Sequence, residues 1–381
     1  MVKKHFDHII IGGGVSGCSI AYHLSKRGNK VLLLEADEIA AGASRAAAGM
    51  LGVQMEFTEY SPFFEFAQES RSMHTFLAES LFKQTGINVH YMKKGAMKLA
   101  FTEQELTQLH AIAHFQQRAG LDARVLSPLE IKKLEPNIVS HEIVGGLYCP
   151  EEAHVSAPHL TWALAKAAAN HGTIIHERTC VTTLITQGDK VIGVETSEGN
   201  FYAEQVVLAT GSSLDRFASF LPDNISITAV KGECVALKSE KPIFNTTIFS
   251  ERCYIVSKTN QSIFIGATVK ENQEDSSVHA GSVHQLLHHA FGLIPELQHA
   301  SFSHVWSGLR PRANREVPYL SKVPSKKGLY IAAGHYRNGI LLAPMTGVYM
   351  ADLLEGKTVT PAYRETFSIQ NKYRLVKEEY H

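Results

Sequence analysis

Three glycines and one acidic residue near the start of the chain have the types and spacing of a dinucleotide-binding site. Gly12, Gly14 and Gly17 follow an apolar run, and the next apolar run ends at Glu35. Gly12 allows a tight turn, Gly14 lets the backbone approach a pyrophosphate, and Gly17 lets a helix pack against a strand. The N–H groups at the start of that helix would bind the phosphates, and Glu35 would accept the hydroxyls of a ribose. The alternative is a glycine-rich turn that holds no ligand.

Three further features favour FAD over NAD. The chain holds a single G-x-G-x-x-G motif, whereas an enzyme that passes electrons from NAD(P)H to a flavin usually needs two. Residues 209–211 (Ala-Thr-Gly) end a later apolar run, where a turn could close over the cofactor. Residues 334–344 lead from the last apolar run into a helix, whose first N–H groups suit the electron-rich end of a flavin ring. For this last segment, the alternative is an ordinary strand-loop-helix connection.

Alternating strands and helices must position these residues. Near residues 1–60, 156–215 and 329–356 the pattern is α/β, and β-rich segments interrupt it. The predicted fold class is α/β with antiparallel β: a Rossmann-like FAD-binding domain of the glutathione-reductase type, interleaved with a substrate domain on a large antiparallel sheet flanked by helices. The predicted FAD-binding segments are 1–86, 143–222 and 305–381, the last including a C-terminal tail, and the substrate segments are 87–142 and 223–304.

Composition argues against several classes of function. The 37 Lys and Arg residues balance 37 Asp and Glu, so no charge excess favours nucleic acid or an anionic membrane surface. No apolar run approaches the roughly 20 residues that span a bilayer, and Lys3 and Lys4 precede a strand instead of a signal peptide. The five scattered cysteines fit a reducing cytoplasm. His284 and His288 have a metal-binding spacing, but without a nearby paired carboxylate we expect no metal site.

Five segments, at residues 12–35, 44–51, 230–233, 306–311 and 334–340, carry a resemblance over nearly the whole chain. They resemble the D-amino-acid oxidase superfamily of FAD-dependent oxidoreductases, and within it the glycine oxidases of bacterial thiazole (thiamine) biosynthesis. The resemblance implies oxidative deamination of glycine, and secondarily of sarcosine and small D-amino acids. The imine product would feed the thiazole ring or hydrolyse to glyoxylate, and O2 would reoxidise the flavin to give H2O2. It also implies thiazole-synthesis enzymes as partners and a homotetramer.

The resemblance assigns residues to the cofactor and to the substrate. The catalytic set is Arg310, Tyr254, Arg337 and Met50. Tyr254 would contact the substrate carboxylate, although by itself it reads as a core tyrosine. The cofactor-binding set is Gly12, Gly14, Val15, Ser16, Gly17, Glu35, Ala36, Ala43, Ser44, Arg45, Ala48, Gly49, Met50, Val181, Gly211, His335, Tyr336, Arg337, Asn338, Gly339, Ile340 and Leu341.

A small amino acid presents a carboxylate, so its site needs a fixed cation. Arg310 is the first choice, because a guanidinium binds a carboxylate through two parallel hydrogen bonds. Its apolar neighbours Leu309 and Trp306 favour an inward position over a surface turn. No general base stands out and none is required, since a hydride can pass from Cα of a neutral amine directly to flavin N5. Catalysis is then chiefly positioning.

Two positions depart from the glycine-oxidase pattern, with Arg252 in place of a histidine and Val269 in place of a methionine. Because side chains alternate along a strand, Arg252 would share the face of Tyr254 and lie near the entrance of the site. There it would favour substrates with a second anionic group. The alternative is an exposed arginine paired with Glu251 or solvent. No cysteine follows Cys253, so we expect noncovalent FAD, unlike sarcosine-oxidase relatives.

Two rival functions remain open at this point. One is a sarcosine or D-amino-acid oxidase, or a dehydrogenase that passes electrons to a carrier instead of O2. The other is a noncatalytic nucleotide-binding scaffold. Arg310 and Tyr254 at coherent positions argue against the scaffold.

Overall fold

The chain folds around two β-sheets whose strands come from alternating segments of the sequence. The computed structural model describes residues 5–139 and 141–371; Lys3, Lys4 and residues 372–381 of the predicted tail lie outside this part. The α-helices are α1 (Val15–Lys26), α2 (Ala43–Ala46), α3 (Val53–Glu56), α4 (Pro62–Thr85), α5 (Glu103–Arg118), α6 (Pro128–Leu134), α7 (Ala157–Asn170), α8 (Ala280–Leu293), α9 (Gly339–Leu354) and α10 (Pro361–Phe367). Short 3₁₀ helices span Gly211–Phe220, Thr259–Gln261, Pro295–His299 and Tyr336–Asn338.

The strands divide between a first sheet, a second sheet and one short pair. The first sheet contains β1 (His5–Ile11), β2 (Val31–Leu34), β8 (Ile174–His176), β9 (Val181–Gln187), β10 (Lys190–Thr196), β11 (Gly199–Leu208), β18 (Tyr319–Lys322) and β19 (Leu329–Ala333). The second contains β4 (Ala96–Ala100), β5 (Arg124–Leu126), β6 (Gly145–Cys149), β12 (Ile227–Lys238), β13 (Thr247–Phe249), β14 (Tyr254–Ser257), β15 (Ser262–Gly266), β16 (Lys270–Glu271) and β17 (Ser301–Ala313). The short pair is β3 (Met92–Lys93) with β7 (Ala153–His154).

The centre of the first sheet is parallel and covered on both faces. Strand β1 pairs in parallel with β11 and β2, and these pair in parallel with β19 and β8. Ile10 and Leu33 pack with helices α1, α4, α7 and α9, whereas Ile9 and Leu32 pack with β9, β10 and the 3₁₀ helix after β11. Burial on both faces explains why these strands read as continuous apolar runs.

The second sheet is mostly antiparallel and carries a pairing of β12 with β17 that runs nearly the full length of both strands. Its apolar interior packs against α8, and a smaller cluster packs against α5. The long β12–β17 pair matters for function because its two strands carry glycines directly opposite each other, Gly232 and Gly308. Nothing in the part of the chain described here forms a helix long and apolar enough to span a membrane.

Strand pairing assigns two strands to the second sheet that lie wholly or mostly in segments predicted to bind FAD. Strand β6 pairs with β4 and β5, and β17 pairs with β12, so both belong to the second sheet. The physical reason is that apolar strands of this length suit either sheet, and the hydrogen-bonding partner decides between them. The domain boundaries at 142 and 304 stay predictions. All the other described strands of the two large sheets fall in the segments expected for their sheet.

Capping and turn residues in the sequence predict helices at residues 61–85, 102–118, 156–170, 282–291 and 344–354. The structure has a helix in each of these segments, with two differences from the prediction. Helix α4 begins after Ser61, whose Oγ accepts from the Phe64 N–H at 3.1 Å, and ends at Gly86 in the left-handed conformation, as its sequence predicts. Helix α9 begins at Gly339, five residues before the predicted start at Pro344. Pro344 lies inside the helix, where proline is normally disfavoured, and this made it look like a first residue. Helix α10 was missed.

Candidate active site

The glycine turn after β1 has the close contacts that its motif predicts. Gly12 has φ +112°, and a side chain there would lie closer than 3.0 Å to the backbone of Ala209. A side chain at Gly17 would meet the Gly12 carbonyl in the same way. Gly14 is the N-cap of α1, and having no side chain it makes no cap hydrogen bond of its own. Ser16 lies half-buried in the first turn.

Polar groups from three segments converge at the start of α1. The Val15 N–H donates to Ser44 Oγ at 2.9 Å, and the Gly13 N–H donates to Glu35 Oε2 at 2.6 Å. Thr210 Oγ1 is buried and has no hydrogen-bond partner within residues 5–139 and 141–371. A helix N-terminus, a carboxylate and an unpaired buried hydroxyl fit the diphosphate and ribose of a dinucleotide.

The remaining residues predicted to contact the first half of the cofactor lie around this turn. Val181 is buried at the start of β9, two residues after Thr179, whose N–H donates to the Glu35 carbonyl. Gly211 has φ +58° and open space where a side chain would be. Ala36 is exposed, Ala43 is half-buried at the start of α2, and the exposed Arg45 pairs with Glu38 at 3.5 Å.

Residues 335–341 were predicted to bind the cofactor, and several of their side chains are used inside the fold. His335 is buried and its Nε2 lies 3.1 Å from Thr346 Oγ1, so its ring is used inside the fold. Tyr336 has φ +50° and begins the 3₁₀ helix that ends at Asn338. Helix α9 follows directly at Gly339, and no side chain caps its first turn. The next two side chains, Ile340 and Leu341, are buried in the core.

Arg310 lies on the face of the second sheet at the opposed glycine pair. A side chain at Gly232 would come within 2.6 Å of its Cζ, so the guanidinium rests directly over that glycine. Its Nη1 donates to the Thr268 carbonyl at 3.2 Å. A side chain at Gly308 would collide with Ala46 of α2. The opposed glycines therefore leave a depression that Arg310 and α2 occupy, and this role of Gly232 was missed although its segment was singled out.

Tyr254 lies next to Arg310 over a third glycine. A side chain at Gly266 would lie closer than 3.0 Å to the ring of Tyr254, and the Tyr254 hydroxyl is 3.5 Å from Cys234 Sγ. Burial raises the pKa of Tyr254 well above its usual value, against the opposing effect of the nearby Arg310 and Arg337 charges. Tyr254 is therefore a neutral phenol at physiological pH. The charges of two other predicted catalytic residues, Arg310 and Arg337, thus act on Tyr254.

The fourth predicted catalytic residue, Met50, lies at the end of a turn that contacts the β7 region. Met50 is half-buried and bridges to His154, and Ala48 and Gly49 before it are buried. Gly49 has φ +80°, and a side chain there would lie closer than 3.0 Å to the Val155 carbonyl. Arg337 is exposed, with its guanidinium 5.3 Å from the ring centre of Tyr336.

The two departures from the glycine-oxidase pattern lie at the periphery. Arg252 is exposed and precedes β14, which begins at Tyr254, so the alternation argument for a shared face does not extend to it. Its charge acts on His289 of α8. Val269 is 50% exposed. Among the residues with described positions, no group of three or more His, Cys, Asp and Glu side chains could hold a metal ion.

The chain is similar to known proteins in sequence and in fold. A family model described as FAD dependent oxidoreductase matches residues 7–353. The chain is 40% identical to the glycine oxidase of Geobacillus kaustophilus over 93% of this chain and 94% of that one. A crystal structure of glycine oxidase from the same species superposes with a TM-score of 0.91 at 39% identity, covering 97% of this chain and 99% of that chain.

A third relative is a fusion protein. The bifunctional protein ThiO/ThiG of Trichormus variabilis is 33% identical over 91% of this chain, which covers 52% of that protein. The resemblance inferred from the five sequence segments, the predicted fold class and FAD as the cofactor are confirmed. The chain therefore belongs to the family of FAD-dependent oxidoreductases that includes the glycine oxidases.

Proposed function

We propose that this protein is a glycine oxidase, which converts glycine and other small amines to imines and passes the electrons to O2 to give H2O2. The observation that carries the proposal is the pairing of Arg310 and Tyr254 over Gly232 and Gly266, beside α2. Bound FAD supplies the acceptor for the hydride that leaves the substrate Cα. The cofactor would be held by the glycine turn between β1 and α1, by Glu35, by the turn Ala48–Met50 and by the backbone of residues 335–341.

Arg310 and Tyr254 bind and orient the substrate carboxylate in this proposal. The Arg310 guanidinium is held at Thr268 and presents its remaining N–H groups to a carboxylate as a planar fork. The neutral Tyr254 hydroxyl donates a further hydrogen bond. Two anchors on one carboxylate fix the direction of the Cα–H bond, which is the requirement for direct hydride transfer.

Among the described residues, the ionisable groups shown here to lie at Arg310 and Tyr254 do not include a base at neutral pH. Burial raises the pKa of Tyr254 and also that of the Cys234 thiol, so both stay protonated, and Arg310 and Arg337 are cations. The substrate amine must therefore lose its extra proton to solvent before the hydride leaves. Activity is expected to rise with pH as the substrate amine deprotonates, without a pKa contributed by these side chains.

The finer assignments are also part of the proposal. The fusion of a related chain in the bifunctional protein ThiO/ThiG supports an imine product that feeds thiazole synthesis. We further propose a cytoplasmic homotetramer, with FAD on the first sheet and the substrate on the second. The remaining predicted contacts, Ala36, Ala43, Arg45, Val181 and Gly211 among them, stand as proposals for cofactor binding.

An anaerobic titration tests the proposal. The purified protein is expected to absorb near about 450 nm, as bound flavin does, and to bleach on addition of glycine without O2. Peroxide on readmission of air identifies an oxidase, whereas bleached protein that yields no peroxide would identify a dehydrogenase. A protein that binds no flavin would support the scaffold function. Arg310→Lys, which keeps the charge but not the fork, is the matched variant and is expected to require far more glycine for bleaching.

A further inference from the structure

The turn that is proposed to contact the flavin has a cavity on one side. A space of about 490 Å³ is bordered by residues 45–48, by Ser156 to His159 and by Lys258 and Trp306. Close-packed side chains hold most segments of a protein in place, and a cavity on one side leaves residues 45–48 with fewer such contacts. Polar contacts therefore matter more for the position of this segment.

Two side chains that border the cavity each bind a carbonyl of this segment. Trp306 Nε1 donates to the Ala46 carbonyl at 2.9 Å. Lys258 Nζ donates to the Ala48 carbonyl at 2.6 Å and to the Val155 carbonyl at 2.8 Å. The Val155 carbonyl is also the atom that Gly49 approaches too closely for any side chain. Lys258 therefore joins the turn to the connection between β7 and α7.

The ammonium group of Lys258 has neutral partners only. Its third contact is His154 Nδ1 at 3.2 Å, and burial lowers the pKa of His154 to about 3, so that ring is neutral and accepts a hydrogen bond. Across residues 5–139 and 141–371, no carboxylate lies within ion-pair distance of Lys258. Burial lowers its own pKa to about 7. Below that pH, an uncompensated positive charge lies directly behind Ala48.

We propose that Lys258 is a positioning residue for the flavin, which fastens the Ala48–Met50 turn to Val155 and places a positive charge behind it. This inference rests on the proposed assignment of that turn to the flavin. Lys258 is the first residue after β14, and Tyr254 is the first residue of that strand. One strand thus links the substrate anchor to the cofactor turn. A fixed positive charge beside a flavin favours its negatively charged reduced form and raises its reduction potential.

The test compares Lys258→Met and Lys258→Arg with wild type, and uses Lys241→Met at an exposed lysine as the control. The FAD dissociation constant, the reduction potential and the thermal midpoint are measured below pH 7. We expect Lys258→Met to bind FAD about tenfold more weakly. Its potential should fall by about 30 mV, the equivalent of tenfold in a two-electron equilibrium. Lys258→Arg should stay within threefold of wild type, because it keeps the charge and the donors.

The inference is overturned when Lys258→Met folds with an unchanged potential and FAD affinity, or when Lys258→Arg loses as much as Lys258→Met. Should Lys258→Met not fold, Lys258→Gln replaces it, because glutamine keeps a hydrogen-bond donor and removes only the charge. A reduction potential of Lys258→Gln equal to that of wild type would then refute the role of the charge. Failure of the proposed function is distinguishable, because wild type itself would then bind no FAD or fail to bleach with glycine.

Discussion

Replacing Gly232 by alanine should move the substrate anchor without unfolding the protein. The new Cβ would lie 2.6 Å from Cζ of Arg310, whereas ordinary van der Waals contact begins near 3.4 Å. The guanidinium must therefore move by about 1 Å. The atoms displaced are the far end of a flexible side chain, and alanine in a strand interior is at least as stable as glycine. The thermal midpoint should stay close to that of wild type.

The loss of activity follows because the displaced Arg310 guanidinium no longer aligns its two N–H groups with the substrate carboxylate. A hydrogen bond to a charged group contributes about 1.5–3 kcal/mol, and about 2 kcal/mol corresponds to a factor of roughly 30. The contact with the carboxylate is made both in the bound substrate and in the transition state, so most of the loss should appear in KM for glycine. We expect kcat/KM to fall about 30-fold and kcat to fall less than KM rises.

Steady-state peroxide assays with glycine measure the effect, at equal FAD content for both proteins. Gly281→Ala is the control, because no atom lies within 4 Å of the position its side chain would take. A Gly232→Ala enzyme with kcat/KM within threefold of wild type would refute the placement of the anchor over Gly232. A large drop in the thermal midpoint would instead refute the claim that only Arg310 has to move.

Three further predictions test other parts of the site and fold. Tyr254→Phe should lower kcat/KM about fivefold to tenfold through the loss of one hydrogen bond and leave the alkaline pH profile unchanged; an alkaline limb that disappears in the variant would contradict a neutral Tyr254. Burial favours protonation of Glu233, yet hydrogen bonds from Lys270, Ser282 and His279 lower its pKa from 4.5 to about 2. The stability from this carboxylate is therefore present above about pH 4.5 and lost as the pH falls towards 2. Urea unfolding across that range should show that the free energy of unfolding declines less steeply with falling pH in Glu233→Gln than in wild type. An equal decline in both proteins would be evidence against this role. Acid precipitation should release all the yellow colour, and colour that stays in the pellet would indicate covalent FAD.

The sequence alone was enough to predict local structure where a short pattern of residues is compatible with a single conformation. The glycine turn, Glu35 and the capped helix α4 are each specified by neighbours in the chain, and the structure has them where they were expected. The predicted start of α9 was wrong, because the place of a proline inside a helix depends on distant contacts. For the same reason, the sequence did not show that β6 and β17 pair within the second sheet. The suggested face of Arg252 failed because the strand begins two residues later.

The amino-acid sequence by itself determined the cofactor class, since this depends on short motifs, and it singled out Arg310 as the proposed anchor of a carboxylate. Only the tertiary structure decided that Arg310 lies over Gly232, that Tyr254 lies over Gly266, and that Lys258 binds the Ala48 carbonyl. These contacts join residues far apart in the chain. Arg310 and Tyr254 have room because glycines lie beneath them on neighbouring strands, which no local pattern reveals.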